Sequence, residues 1–208
     1  LGRNSGIQQS EAHRTNLSIT EIREQLSGKL RVPMFLNDLN ASAIDAQPDL
    51  LKNFDTLGHR FWRQRKAFPV DYINYGAPDG SFLGLERGSD GDVSLYEDST
   101  QLGRGQLTVL SLSPHGERLE PTEVIPGMSA THEEAWYVDT VAAERSSWSS
   151  IYAWEDQPEI HSVSYNTPLL DGDGQLLGVI GVDMVINQLS TWLQQVWGSR
   201  DGLAVLIE

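Results

Sequence analysis

Apolar residues recur at helical spacing through the first third of the chain. Leu17, Ile22, Leu26 and Leu30 fall near four-residue intervals, with Glu21, Arg23, Glu24 and Lys29 between them. The spacing predicts an amphipathic helix over residues 7–46. Pro33 should kink or break it, because proline has no N–H to donate and its ring crowds the preceding turn. Met34, Phe35 and Leu36 then resume an apolar face that continues through Leu39, Ala43 and Ile44. Pro48 marks a turn. A second helix is expected over 49–66, with Leu50, Leu51, Phe54, Leu57, Phe61 and Trp62 inward.

Beyond Phe68-Pro69 the pattern changes to short β-prone runs. Residues 70–75 and 82–87 read as strands joined by Gly76-Ala-Pro-Asp-Gly80, a strong turn signal. Residues 94–97 and 106–113 are further strands, and 114–130, rich in Pro, Gly and Glu, reads as a surface loop. A short helix over 132–143 carries Trp136 and Tyr137. Residues 163–170 and 176–184 form two strands around Asp171-Gly-Asp-Gly174, a hairpin turn. A helix over 186–197 shows Ile186, Leu189, Leu193 and Val196 on one face, and 198–202 links it to a last strand ending at Glu208. Strands adjacent in sequence and joined by tight turns favour antiparallel pairing. The expected class is therefore α+β, with a central antiparallel sheet flanked by helices, and not a doubly wound α/β fold.

Charge narrows the functions. The 208 residues carry 29 Asp+Glu against 15 Lys+Arg, a formal net charge of −14. Such a surface repels phosphate backbones and anionic membrane faces, which argues against nucleic-acid binding. With no cysteine, disulfides, thiolate metal sites and cysteine nucleophiles are excluded. No run of about 18 apolar residues exists to span a bilayer, and no signal peptide opens the chain. Leu1 and the strand-like Leu203-Ala-Val-Leu-Ile-Glu208 read as cuts from a longer protein.

Catalytic signatures are missing. There is no nucleophile elbow, phosphate-binding glycine loop, dinucleotide fingerprint or zinc-protease helix. The five histidines show no metal-ligand spacing. Asp171-Gly-Asp173-Gly174 and Gly88-Ser-Asp90-Gly-Asp92 share fragments with calcium loops but lack the glycine and terminal glutamate in register. No enzyme activity, cofactor or metal is expected.

Ordered segments carry a family resemblance. Phe61-Trp62, Tyr72-Ile-Asn-Tyr75-Gly76 and Asp79-Gly80-Ser-Phe82-Leu-Gly84-Leu-Glu86-Arg87 resemble the first sheet hairpin of Cache-type extracytoplasmic sensor domains of bacterial transmembrane receptors. Trp136-Tyr137, Trp148-x-x-Ile151-Tyr152, Thr167-Pro168-Leu169, Asp173-Gly174-x-Leu176-Leu177-Gly178-Val179 and Gly181-Val182-Asp183 follow in that family's order. The resemblance covers roughly residues 20–208. It implies an N-terminal helical region over 1–66 and a PAS-like sensor domain over 67–208, truncated at its last strand. It also implies a periplasmic location, membrane helices outside this chain, and a kinase, cyclase, diguanylate cyclase or chemotaxis output region. In the intact receptor, Leu17 to Leu30 would support a parallel homodimer.

The same resemblance marks a pocket. Amino-acid-binding members carry Arg-Pro-Trp-Tyr, whose arginine holds the ligand carboxylate. Here the stretch is Glu134-Ala135-Trp136-Tyr137, so the clamp is lost and its charge reversed. Asp183 falls where the family places the acceptor of a ligand ammonium. Trp136, Tyr137 and Tyr152 are candidate walls, and His161 and Tyr165 share one face of a strand by alternation. Aromatic walls with an acid and no arginine suit a small cationic amine. The competing reading is a structural or protein-interaction module without a small-molecule ligand. Trp148 and Trp154 are expected to pack or to sit at the rim.

Overall fold

A computed structural model describes residues 2–88, 90–128 and 133–197. Helix α1 (Gly2–Ala46) leads into a 3₁₀ turn (Pro48–Lys52) and helix α2 (Phe54–Ala67). Strands β1 (Tyr72–Gly76), β2 (Phe82–Arg87), β3 (Val93–Ser99), β4 (Gly103–Leu112) and β5 (Arg118–Pro126) follow. Helix α3 (Ala135–Ala143), the two-residue strands β6 (Ser147–Trp148) and β7 (Tyr152–Ala153), strands β8 (His161–Leu170) and β9 (Leu176–Val185), and helix α4 (Ile186–Trp197) complete the order. The strands among the described residues form one sheet, β5-β4-β3-β2-β1-β9-β8-β6, with β7 also on β8. Every pairing is antiparallel, so the α+β expectation holds.

Three local expectations are corrected. Helix α1 runs through Pro33, so the break allowed for there does not occur. One backbone hydrogen bond is forfeited there, but Leu36, Asn37, Asn40 and Ile44 beyond it are buried. Asn37 donates from Nδ2 to the carbonyls of Tyr165 at 2.5 Å and Ile180 at 3.2 Å, which ties that stretch to β8 and β9. The expected helix over 49–66 starts later, because Asn53 accepts from the Thr56 N–H at 2.9 Å and caps α2 there. The expected loop over 114–130 contains β5. This edge strand is exposed along most of its length, so no apolar alternation betrayed it, and its Pro121 and Pro126 are tolerated at an edge. The expected last strand lies outside the described residues.

The chain divides into two compact units, 1–31 with 190–208, and 32–189. In the first, the Lys29 ammonium lies 4.8 Å above the Trp192 ring. No helix among the described residues is long and apolar enough to cross a membrane.

The second unit holds the sheet, and alternation sorts its side chains. Ile73, Tyr75, Leu83, Leu85, Leu95, Ile180 and Val182 meet Leu36, Ile44, Leu57 and Phe61 of α1 and α2 on one face. Their even or odd neighbours Tyr72, Phe82, Tyr96, Leu107 and Val179 meet Trp136 and Tyr137 of α3, and Trp154, on the other. Full burial of each such side chain stabilises the fold by about 1.5–3 kcal/mol. The second face carries the candidate site.

Candidate ligand-binding site

The site begins with a row of three residues. Tyr72 on β1 pairs in register with Glu86 on β2 and with Asp183 on β9, which puts all three side chains on the α3 face. Two glycines make room for the aromatic rings above them. A Cβ at Gly84 would meet the Tyr72 hydroxyl at 2.2 Å, and one at Gly76 would meet Trp136 Cη2 at 2.9 Å. Strand-forming side chains at either position would lift the rings off the sheet.

A cavity of about 50 Å³ lies on this face. Tyr72, Asn74, Phe82 and Leu107 of the sheet line it, together with Met128, Trp136, Tyr152 and Trp154. Trp136 is 1% exposed and sits 6.4 Å from Phe82, ring to ring. Trp154 lies 5.0 Å from Tyr72. These aromatics shield the polar groups beneath them from water.

Asp183 anchors those polar groups. It is 1% exposed, and its Oδ2 accepts from the Tyr152 hydroxyl at 2.5 Å, the Ser162 hydroxyl at 2.9 Å and the Trp154 indole N–H at 3.3 Å. Its Oδ1 accepts from Asn74 Nδ2 at 3.3 Å. All four donors are uncharged. Burial pushes the acid up to about 6, against the pull of those hydrogen bonds.

Glu134 precedes α3 in the N-cap position, yet its side chain makes no cap bond. Its Oε2 instead accepts from the Trp136 indole N–H at 2.7 Å. Burial raises this acid to about 7, and the Asp183 charge adds to the effect. Asp98, Glu155 and Asp156 also line the cavity, and burial lifts Asp156 above its ordinary value. Asp98 is 3.0 Å from Arg104. Among the described residues, five carboxylates thus line the cavity and no lysine, arginine or histidine does.

Four of the seven residues expected from the sequence meet here: Glu134, Trp136, Tyr152 and Asp183. Tyr137 stacks edge-on against Trp136 at 5.8 Å and does not line the cavity. His161 and Tyr165 do not either. Ser162 takes the cavity face of β8, so alternation turns its odd-numbered neighbours away; His161 is exposed and Tyr165 packs on Trp148 at 5.3 Å. Trp154, expected to pack or to sit at the rim, is packed and buried, and it also donates to the anchoring acid. Its two-residue offset from Tyr152 was the available signal. Tyr72 and Asn74 were legible as one face of β1, but nothing local said which face was the cavity's.

No family model matches the chain, and no curated protein is significantly similar to it in sequence. Solved structures match it in fold. The ligand-binding domain of the Campylobacter jejuni chemoreceptor Tlp3 with 4-methylisoleucine superposes with a TM-score of 0.52 at 14% identity, covering 90% of this chain and 60% of that one. The Tlp3 sensory domain with isoleucine bound gives 0.54 at 13% identity, over 96% and 66%. The ligand-binding domain of the Pseudomonas aeruginosa amino-acid chemoreceptor PctC with GABA gives 0.51 at 20% identity, over 88% and 65%. This chain therefore spans less than two thirds of the length of those domains. At these identities the likeness is one of fold: the chain has the PAS-like, Cache-type fold of chemoreceptor sensory domains.

Proposed function

We propose that this chain is the extracytoplasmic ligand-sensing part of a bacterial transmembrane receptor, and that it takes a small cationic amine without a free carboxylate. The membrane helices and the output region belong to the rest of that receptor, and α1 supports its homodimer. The fold supports the sensory reading. The observation that carries the ligand class is the lining of the cavity, which among the described residues holds five carboxylates and no cationic side chain.

A buried carboxylate ordinarily has a charged partner. Elsewhere in this protein that rule is kept: Glu97, fully buried, has Arg118 at 2.7 Å. Among the described residues, Asp183 has only neutral donors. A bound ammonium would supply the missing positive charge, and the aromatic side chains of Trp136, Tyr72 and Trp154 line the same cavity. A ligand carboxylate would face Glu134 without a cation to receive it. The cavity matches a head group in size, since one water occupies about 30 Å³ of the liquid.

Titration calorimetry at pH 8 with amines, α-amino acids and carboxylates decides between the readings. The expected result is heat from amines alone, abolished in Asp183→Ala. Tight binding of an ordinary α-amino acid overturns the ligand class. Silence from all three groups favours an interaction module.

A further inference from the structure

Two acids, Asp183 and Glu134, line the same cavity, and among the described residues no lysine, arginine or histidine lines it. Ionised together beside so many aromatic rings, they would repel each other. Hydrogen bonding decides which of them keeps its charge. Asp183 accepts from four donors, on Tyr152, Ser162, Trp154 and Asn74. Among the described residues Glu134 accepts from one, the Trp136 indole N–H at 2.7 Å. Bonds donated to a carboxylate favour its ionised form. The charge therefore settles on Asp183, and the empty cavity stores a proton on Glu134.

The neighbouring elements act in the same sense. Glu155 and Asp156, on the segment after β7, raise Glu134 through their charges, as Asp183 does from β9. Asp98 of β3 also lines the cavity but is answered by Arg104 of β4 at 3.0 Å. Burial keeps Tyr72 of β1 and Tyr152 of β7 neutral. Asp71, just before β1, adds its charge against Asp183. Glu133, next to Glu134 in the chain, is exposed. Burial and these charges bring Glu134 to about 7. Glu134 also keeps partial exposure, whereas Asp183 is 1% exposed, so a proton on Glu134 has water to go to.

We propose that Glu134 carries the proton that an arriving ammonium displaces, so that the site takes up its cation and releases a proton in one exchange. This rests on the cationic-ligand reading above and adds its regulation. The ammonium lies against Asp183, and its field favours the ionised form of Glu134. The O–H bond of that acid breaks, its electron pair stays on the carboxylate, and the proton leaves to water. One positive charge enters as one departs. The ionised Glu134 then holds the Trp136 indole by a charge-assisted bond, which is stronger than the neutral one. The coupling is mutual: the cation lowers the proton affinity of Glu134, and acid lowers the affinity for the cation by the same factor.

The test titrates the wild-type chain with n-butylammonium chloride, which stays protonated across the range as a lysine side chain does. Affinity by calorimetry is expected to rise about tenfold or more between pH 6 and pH 8. A pH-stat at pH 6.5 is expected to record about half a proton or more released per amine bound. Glu134→Gln should bind more weakly at pH 8 and keep only about a twofold gradient, the share left to Asp183. Carbon-13 NMR of the Glu134 carboxyl in the wild type, empty and amine-saturated, reads the same proton without a variant, and its midpoint should fall in the complex. Equal affinity at both pH values with no proton released overturns the exchange and leaves the cationic reading standing. A full gradient in Glu134→Gln, or an unmoved Glu134 midpoint, overturns the assignment to Glu134. Absence of binding at pH 8 overturns the cationic reading, and the exchange with it.

Discussion

The Tyr152 hydroxyl donates to Asp183 Oδ2 at 2.5 Å, the shortest of the four hydrogen bonds that hold this buried acid. The bond favours the ionised acid, which burial disfavours. Tyr152→Phe should therefore push Asp183 further above about 6. The expected loss of stability is about 1–2 kcal/mol at pH 8 and smaller at pH 5, where the acid is already protonated. Urea denaturation at the two pH values measures it. Equal losses would show that the bond does not act on the charge.

Glu134 and Asp183 together predict a stability curve with a definite sign. Both folded values are raised, to about 7 from 4.5 and to about 6 from 3.8. The folded chain then holds protons that the unfolded chain releases. The stability from the neutral forms is complete below about pH 4 and is lost as pH rises through 6 and 7, on the order of 3 kcal/mol for each acid at about 1.4 kcal/mol per pKa unit. The double variant Glu134→Gln, Asp183→Asn should flatten the curve between pH 4 and 8. A variant curve parallel to the wild type refutes the assignment.

The buried pair Glu97–Arg118 links β3 to β5, and Arg118 Nε also meets Asp55 of α2 at 2.8 Å. Glu97 is fully buried. Arg118→Met leaves that charge uncompensated and should cost about 3–5 kcal/mol. Adding Glu97→Gln should recover a large part of the loss. A double-mutant cycle by denaturant unfolding reads the coupling, and additive effects would deny it.

Two glycines offer a matched contrast. At Gly84 a Cβ would collide with Tyr72, whereas at Gly28, inside α1, it would meet nothing within 4 Å. Gly84→Ala is expected to destabilise by about 1–3 kcal/mol through overpacking. Gly28→Ala is expected to stabilise by about 0.5–1 kcal/mol through helix propensity. Thermal denaturation of the two variants should move the melting temperature in opposite directions.

Local patterns carried much of the fold. Apolar spacing placed α2 to within a few residues and matched α4, and Gly/Asp turns located the β1–β2 and β8–β9 hairpins, because those signals act between near neighbours. They also placed Trp136, Tyr152 and Asp183 among the candidates. Edge strand β5 was invisible, since a strand exposed on both faces needs no apolar period. No break follows Pro33, because the lost backbone bond is a local penalty while the burial of Leu36 and Ile44 is a distant gain.

What the sequence by itself determined was the α+β class, the antiparallel hairpins and the acidity. The tertiary structure alone decided which side of each strand became the cavity. Period-two alternation says that His161 and Tyr165 share a face, and that Tyr72 and Asn74 share another, but not which face α3 covers. That choice depends on α1 and α2 claiming the opposite side of the sheet. Likewise, the meeting of Glu134 and Asp183 in one cavity joins the start of α3 to β9, and no spacing along one chain can show acids brought together by packing on a sheet.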